Sequence, residues 1–162
     1  MIIKCTLSSA SLKDAAKQLR QYADSLPKKT ETMVRRLGEY GTDSAMLGLC
    51  HIDTGETLSS IQYTHRVNEG TISAGGAAVW IEFGTGVLAN VGSEEHPKRG
   101  EVGAVGWGEY GHGLGKGRWW YKDKNGEKKW TSGIRMRPFM YEASMDMRNA
   151  LVKIAKEAFR ID

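Results

Sequence analysis

Long apolar runs and closely spaced cysteines are missing from this sequence of 162 residues. The longest unbroken apolar run, residues 77–81, is far shorter than the about 20 residues that cross a bilayer, so we expect no membrane span. The first residues lack the pattern of a secretory signal, which favours synthesis in the cytoplasm. The two cysteines, Cys5 and Cys50, lie far apart without a CxxC spacing, which favours structural thiols over a disulfide scaffold or a redox site.

Motifs for catalysis and for cofactors are also weak or missing. No two histidines lie three or four residues apart, the spacing of a helical metal site; the four are His51, His65, His96 and His112. Residues 84–89 and 106–111 fit the glycine spacing of dinucleotide sites, but glycine-dense chain follows each match where such a site needs a helix. There is no GxSxG motif. We therefore expect no metal, no cofactor and no enzymatic activity, and a small hydrolase is the least favoured alternative.

The composition is that of one globular domain covering residues 1–162. Hydrophobic residues make up 40% of the chain and charged residues 26%, values that are typical of a folded protein. The net charge of +4 is unevenly distributed, because residues 51–90 carry −3 and residues 116–137 carry +6. This division suits either nucleic-acid binding or contact between the acidic part of one copy and the basic part of the next.

Apolar residues at helical spacing predict helices near both ends of the chain. Residues 1–50 predict a long helix capped at Ser11, which Pro27 either bends or breaks in two. Its apolar stripe comprises Leu12, Ala15, Ala16, Leu19, Tyr22, Ala23 and Leu26, and continues through Met33, Leu37, Tyr40 and Leu47. A second stripe predicts a C-terminal helix over residues 137–161, with Pro138 at its first position.

The middle of the chain predicts short strands. Apolar and polar residues alternate over residues 58–67, where Ile61, Tyr63 and Val67 would share the buried face of a strand. A turn at residues 68–70 would return this strand to a partner at residues 71–74. Residues 77–83 suit either a strand or a short helix. These elements make up the segment 54–86.

A glycine-rich segment and a second hairpin follow. Eleven of the 20 glycines fall between residues 84 and 117, so residues 87–117 predict a long loop. Residues 118–133 predict a hairpin that turns at Asn125-Gly126 and in which aromatic and basic residues interleave. Three interpretations stay open for it: a protein interface, ordinary packing and, less favoured, nucleic-acid binding. The interface candidates are Arg118, Trp119, Trp120, Tyr121, Lys128, Lys129 and Trp130.

Three motifs occur in order along the chain. Thr54-Gly55 with Ser60-Ile61 comes first, Trp80-Ile81-Glu82-Phe83-Gly84-Thr85-Gly86 second, and Arg137-Pro138-Phe139-Met140 followed by Ala143 last. Together they resemble the head-to-tail joining (neck) proteins of long-tailed bacteriophages and prophages, often described as tail components. The motif residues are Glu82, Phe83, Gly84, Thr85 and Gly86, then Arg137, Pro138, Phe139 and Met140. This chain departs from compact members of the family in the long stretch between the second and third motifs.

The resemblance implies an α+β fold, a small antiparallel sheet packed by the long N-terminal and C-terminal helices. It also implies a structural role in the virion neck: a ring of copies that forms in the assembled particle, whether or not the isolated chain is a monomer. The ring joins portal or head-completion proteins to the tail and lets DNA pass non-specifically. The alternative is a DNA-binding module that uses the basic hairpin.

The residues themselves favour a structural role for the last two motifs. We expect Phe83 in the core, Gly84 and Gly86 at positive φ, and Thr85 in a hydrogen bond to nearby backbone. We expect Phe139 to fasten the last helix to the sheet.

Overall fold

The computed structural model describes residues 6, 8–49, 55–86, 88, 96, 118–123 and 125–160. Within these residues the chain forms α1 (Ser9–Leu49), α2 (Glu56–Ser59), β1 (Gln62–Arg66), β2 (Glu69–Ser73), α3 (Ala78–Phe83), β3 (Thr85–Gly86), β4 (Trp119–Lys122), β5 (Lys128–Thr131), β6 (Gly133–Ile134) and α4 (Phe139–Ala158). This is the small α+β fold that the sequence predicts. The predicted loop at 87–117 lies outside the described residues except for Leu88 and His96.

The first helix, α1, is continuous although Pro27 lies inside it. Pro27 has no N–H to donate to the carbonyl one turn earlier, which weakens the helix there without ending it. The hydroxyl of Ser8 accepts the backbone N–H of Ser11 at 3.2 Å, so Ser8 is the residue that caps the start. The predicted cap at Ser11 is therefore wrong, because Ser11 already belongs to the first turn.

Glycines on one side of α1 let other elements pack closely against it. At three positions a neighbouring side chain fills the space that a Cβ would need: Tyr63 at Gly38, Met147 at Gly41 and Phe139 at Gly48. The helix α4 runs antiparallel to α1, since Phe139 at its start lies against Gly48, while the carbonyl of Arg160 just beyond its end accepts a hydrogen bond from Lys29 at 2.7 Å. The two helices form the largest contact of the fold.

The strands β1 and β2 form the first hairpin, and two details differ from the prediction. The residues before Gln62 form the short helix α2, which follows Gly55 at φ 85°, and not the start of a strand. The turn is the two-residue Val67-Asn68 with Asn68 at φ 59°, so Glu69 already pairs with Arg66. Val67 is consequently exposed in the turn and not part of the buried face.

The described strands form three two-stranded antiparallel sheets, β1–β2, β3–β6 and β4–β5, and not one sheet. The segment 77–83, which the sequence left open, is helical. The core lies between α1, α3, α4 and the start of β1; it consists of Ala45, Leu49, Ile61, Ala78, Ile81, Phe139 and Ala143.

The last helix, α4, begins at Phe139 and ends at Ala158, inside the predicted range of 137–161. Pro138 precedes the first helical residue and occupies the N-cap position, one residue earlier than predicted. Phe139 is 2% exposed, lies against Gly48 of α1 and belongs to the same core cluster as Ile61 just before β1. It therefore fastens the start of α4 to α1; a direct contact with the sheet stays a prediction. No helix in the described part of the chain is both long and apolar enough to cross a membrane.

Candidate functional site

Two regions contain the residues that the sequence singled out: the β4–β5 hairpin and the junction between α3 and α4. In the hairpin, Trp120 lies opposite Trp130 and Lys122 lies opposite Lys128. Alternate residues of a strand point to the same side, so these four side chains share one face of the hairpin. We call it the Trp–Lys face.

The turn of this hairpin is stabilised by Asp123. Its Oδ1 accepts the backbone N–H groups of Asn125 and Glu127, both at 2.9 Å, and Gly126 adopts φ 80°. An aspartate that bonds the backbone two residues ahead favours a tight turn. The predicted turn at Asn125-Gly126 is confirmed.

The aromatic rings of the hairpin are open to solvent. Trp120 is 44% exposed, Trp130 is 65% exposed, and Tyr121 in β4 is 49% exposed. Ordinary packing in a core therefore does not describe these three rings. The Nζ of Lys128 lies 4.6 Å from the centroid of the Trp120 ring, a cation–π contact that leaves the Trp130 ring as the more open of the two.

The lysines of the hairpin differ in their partners. Lys129 Nζ lies 3.0 Å from a carboxylate oxygen of Glu127 and 3.7 Å from one of Asp123. Lys122 and Lys128 form no ion pair with any residue that the structure describes. Like charges directly opposite each other weaken a strand pair, so an anionic partner would relieve this repulsion. The Trp–Lys face is thus suited to a surface that is acidic and partly apolar.

Of the remaining hairpin candidates, Arg118 is exposed just before β4, and Trp119 lies in β4 opposite Thr131. The sequence also indicates an acidic surface at residues 51–90, which carry a net charge of −3. The exposed acidic surface is smaller than this net charge suggests. Glu82 is only 6% exposed and contributes no acidic surface.

The junction of α3 and α4 is organised by this same buried carboxylate. Glu82 Oε2 accepts the backbone N–H of Met140 at 2.8 Å, and Oε1 accepts that of Tyr141 at 3.0 Å. These are N–H groups of the first turn of α4, which have no partner inside the helix. Pro138 at the N-cap position offers no side-chain acceptor. Glu82 therefore caps a helix more than fifty residues away in sequence, and its negative charge lies at the favourable end of the helix dipole.

His96 completes this junction. Its Nε2 lies 2.9 Å from Glu82 Oε1 and its ring is buried. The ring contacts Phe83 at a centroid distance of 4.2 Å and the edge of Tyr141 at 5.6 Å. Phe83 is half-buried against His96 and lies outside the core cluster, so the expectation that it inserts into the core is wrong.

The backbone links the motifs around Glu82 and Arg137 a second time. Arg137 N–H donates to the carbonyl of Ile81 at 2.8 Å. The strands β3 and β6 pair Thr85 with Ile134, and the hydroxyl of Thr85 accepts the N–H of Ile134 at 3.0 Å, as the sequence predicts. Gly84 at φ 71° and Gly86 at φ 61° take the predicted positive φ.

A groove of about 450 Å³ lies beside the junction; it is lined mainly by apolar side chains and also by Glu82 and His96. Glu82 is already bonded to two backbone N–H groups there, and the nearby Ser144 hydroxyl donates to the carbonyl of Tyr141 at 2.6 Å. Both groups thus serve the helix α4, and neither is arranged as a base beside a nucleophile. No cluster of three potential metal ligands occurs in the described part of the chain.

Sequence reasoning missed the cap at Glu82 and the role of His96. Two signals were present: a single acid at the end of the apolar run 77–83, and a helix start at Pro138-Phe139 without any Ser, Thr, Asp or Asn to cap it. A buried acid needs hydrogen-bond donors and an uncapped helix needs an acceptor; here Glu82 and the first turn of α4 meet both needs.

Comparison with protein-family models, with curated proteins and with solved structures gives no match to this chain.

Proposed function

We propose that this chain is a structural protein of the head-to-tail connector, or neck, of a long-tailed bacteriophage or prophage. The observation that carries the proposal is the contact between the two motifs on which the resemblance depends. The segments around Glu82 and Arg137 are far apart in sequence, yet they form one folded unit through the Glu82 cap, the bond from Arg137 to Ile81 and the β3–β6 pair. The resemblance therefore covers a structural unit and not two unrelated strings of residues.

The exposed hairpin supports the same role. A connector must bind other proteins, and aromatic residues are enriched at the centres of protein interfaces. The Trp–Lys face exposes two indole rings beside two lysines without ion pairs among the described residues. In the proposed role, copies of the chain form a ring around the DNA channel, and this face contacts a neighbouring copy, a portal or head-completion protein, or a tail protein.

Deletion of the gene from the phage or prophage that encodes the chain tests the proposal. We expect filled heads and finished tails to accumulate unjoined, and a plasmid copy of the gene to restore joined particles. Electron microscopy and plaque counts measure both. Joined, infectious particles from the deletion strain would rule the role out.

The same complementation assay tests the hairpin. A copy with Lys122→Gln, Lys128→Gln and Trp130→Ala should fail to restore joining, whereas Lys129→Gln in the same hairpin should restore it, because Lys129 is paired with Glu127 and Asp123. Far-UV circular dichroism of both purified variants checks that they fold.

A DNA-binding module is the second candidate, favoured by Lys122 and Lys128 of the Trp–Lys face, which form no ion pair with a described residue. Fluorescence anisotropy with a labelled DNA duplex at several salt concentrations measures it. If Lys122 and Lys128 contact DNA phosphates, the double variant Lys122→Gln/Lys128→Gln should reduce the magnitude of the slope of log affinity against log salt concentration by about two. An unchanged slope would leave the hairpin as a protein-binding element.

A further inference from the structure

The N-terminal part of α1 extends beyond the helix that packs against it. α1 has 41 residues and α4 has 20. α4 starts beside Gly48 and the chain leaves it beside Lys29. Among the residues that the structure describes, no second helix therefore lies beside residues 9–26 of α1. We call residues 9–26 the arm. At 1.5 Å per residue it is about 27 Å long.

The arm carries an apolar line with a seven-residue spacing. Leu12, Leu19 and Leu26 recur at this interval and are 49%, 56% and 37% exposed. The positions beside them in the heptad are small or uncharged: Ser11, Ala15, Ala16, Gln18, Tyr22, Ala23 and Ser25. The charged residues of the arm fall at the outer positions: Lys13, Asp14, Lys17, Arg20 and Asp24. This pattern is typical of a helix that packs closely against one other helix.

The exposed line is a continuation of the surface that α4 already covers. Five helical turns take about 18 residues, which is the spacing from Leu19 to Leu37 and from Leu26 to Ser44. Leu37 lines a cavity with Ala143 of α4, and the Ser44 hydroxyl hydrogen-bonds a carboxylate oxygen of Asp146 in α4. The antiparallel helix α4 thus covers this side of α1 from Gly48 back to Lys29, and no other described element covers it before Lys29, where the three leucines are exposed.

We propose that two copies of this chain pair through their arms, antiparallel and centred on Leu19. In that arrangement Leu12 of one copy contacts Leu26 of the partner subunit, and the two Leu19 side chains meet at the two-fold axis. The start of the partner subunit's arm then lies beside Lys29, where α4 ends. Each arm therefore covers the part of the other copy's α1 against which α4 does not pack.

The structure favours this orientation over a parallel one. In a parallel pair, the second α1 would run on past Leu26 into the space that α4 occupies against Leu37 and Ser44. The antiparallel pair avoids this overlap because the two bodies lie at opposite ends of the paired arms. It also opposes the helix dipoles.

This inference goes beyond the proposed function. A two-fold contact joins two copies and does not by itself close a ring, which needs contacts between two different surfaces. Loss of the arm pair and loss of the neck role are therefore separate outcomes, the first measured on the pure protein and the second on particles.

Cross-linking tests the orientation. In a chain with Cys5→Ser and Cys50→Ser, single cysteines are placed as Leu12→Cys, Leu19→Cys or Leu26→Cys, and a bismaleimide about as long as the 8–10 Å between packed helices joins them. We expect Leu19→Cys to link to itself, and Leu12→Cys and Leu26→Cys to link only when mixed. Val152→Cys, an exposed apolar position on α4, should not link. Self-linking at all three arm positions, or at none, would overturn the proposal.

Sedimentation velocity tests the pairing itself. The unmodified chain should form dimers in a concentration-dependent way, and Leu19→Glu should raise the dissociation constant at least about tenfold, because a carboxylate would be buried against its own copy. Lys17→Glu, on the outer side of the same arm, should leave the constant unchanged. A chain that stays monomeric at the highest soluble concentration, or a Leu19→Glu variant that dimerises as well as the unmodified chain, would refute the arm pair.

Discussion

Glu82 offers the sharpest test of how this structure is held together. Its carboxylate accepts two backbone N–H groups at the start of α4 and is only 6% exposed. A hydrogen bond to a charged group contributes about 1.5–3 kcal/mol, and a buried donor left without a partner costs a similar amount. We therefore expect Glu82→Ala to lower the free energy of unfolding by about 3–5 kcal/mol.

Glu82→Gln separates the hydrogen bonds from the space that the side chain fills. An amide has one oxygen, so one of the two N–H groups would face an NH₂ group, and the expected loss is about 2–3 kcal/mol. Glu142→Gln is the matched control, because Glu142 is an exposed acid in the first turn of the same helix. It should cost only about 0.3–1 kcal/mol through the helix dipole.

Urea unfolding followed by circular dichroism at 222 nm measures these differences. A double-mutant cycle with His96→Ala then isolates the contribution of the Glu82–His96 contact. If Glu82→Gln costs no more than Glu142→Gln, the carboxylate does not hold the start of α4, and only the Arg137–Ile81 bond and the β3–β6 pair are left to link the two motifs.

Three further predictions concern α1 and its neighbours. Gly38→Ala should cost about 1–3 kcal/mol in the same urea assay, because the Tyr63 ring fills the space of the new Cβ; Gly38→Ala combined with Tyr63→Ala should show less than the sum of the two losses. Burial, and secondarily the carboxylate of Glu39, raises the pKa of Tyr63 above 10.0, so the stability that its protonated phenol contributes is present below pH 10 and is lost as the pH rises through the raised pKa. Tyr63→Phe removes the hydrogen bond that the phenol donates to the carbonyl of Val34 at 3.1 Å, so it should be less stable than the unmodified chain at pH 8, and this difference should shrink as the pH rises above 10. An equal difference at pH 8 and pH 11 would contradict the assignment. Pro27→Ala should raise the melting temperature, since proline inside a helix costs up to about 3 kcal/mol, and a lower melting temperature would mean that a bend at Pro27 is required for packing.

The sequence predicts the helices and hairpins well because their signals are local. The apolar stripe of α1, the spacing of α4 and the Asn125-Gly126 turn each lie within a few residues of the element they specify. The errors occur where contacts with nearby residues determine the structure. Ser8, and not Ser11, caps α1. The turn at Val67-Asn68 begins one residue before the predicted turn at 68–70, because a two-residue turn sets the register of the hairpin.

The candidate site was less predictable, because its contacts join distant residues. Nothing near Glu82 in sequence indicates that its partners are the N–H groups of Met140 and Tyr141. The alternation of residues in β4 places Trp120 and Lys122 on one face, but only the fold shows that no core covers them. Burial and exposure of this kind depend on tertiary packing, which a single sequence does not display.

The β3–β6 pair holds together the residues that flank the long stretch 87–132. Thr85 pairs with Ile134 and Gly86 with Gly133, so these flanking residues meet at one point. The cap at Glu82 fixes both sides of that point to the start of α4. Because the ends are held together, each doubling of the loop length costs only about 0.6 kcal/mol of closure entropy. Insertions or deletions between His96 and β4 should therefore cost little, provided that His96 keeps its contacts with Glu82 and Phe83 and that the β3–β6 pair stays intact.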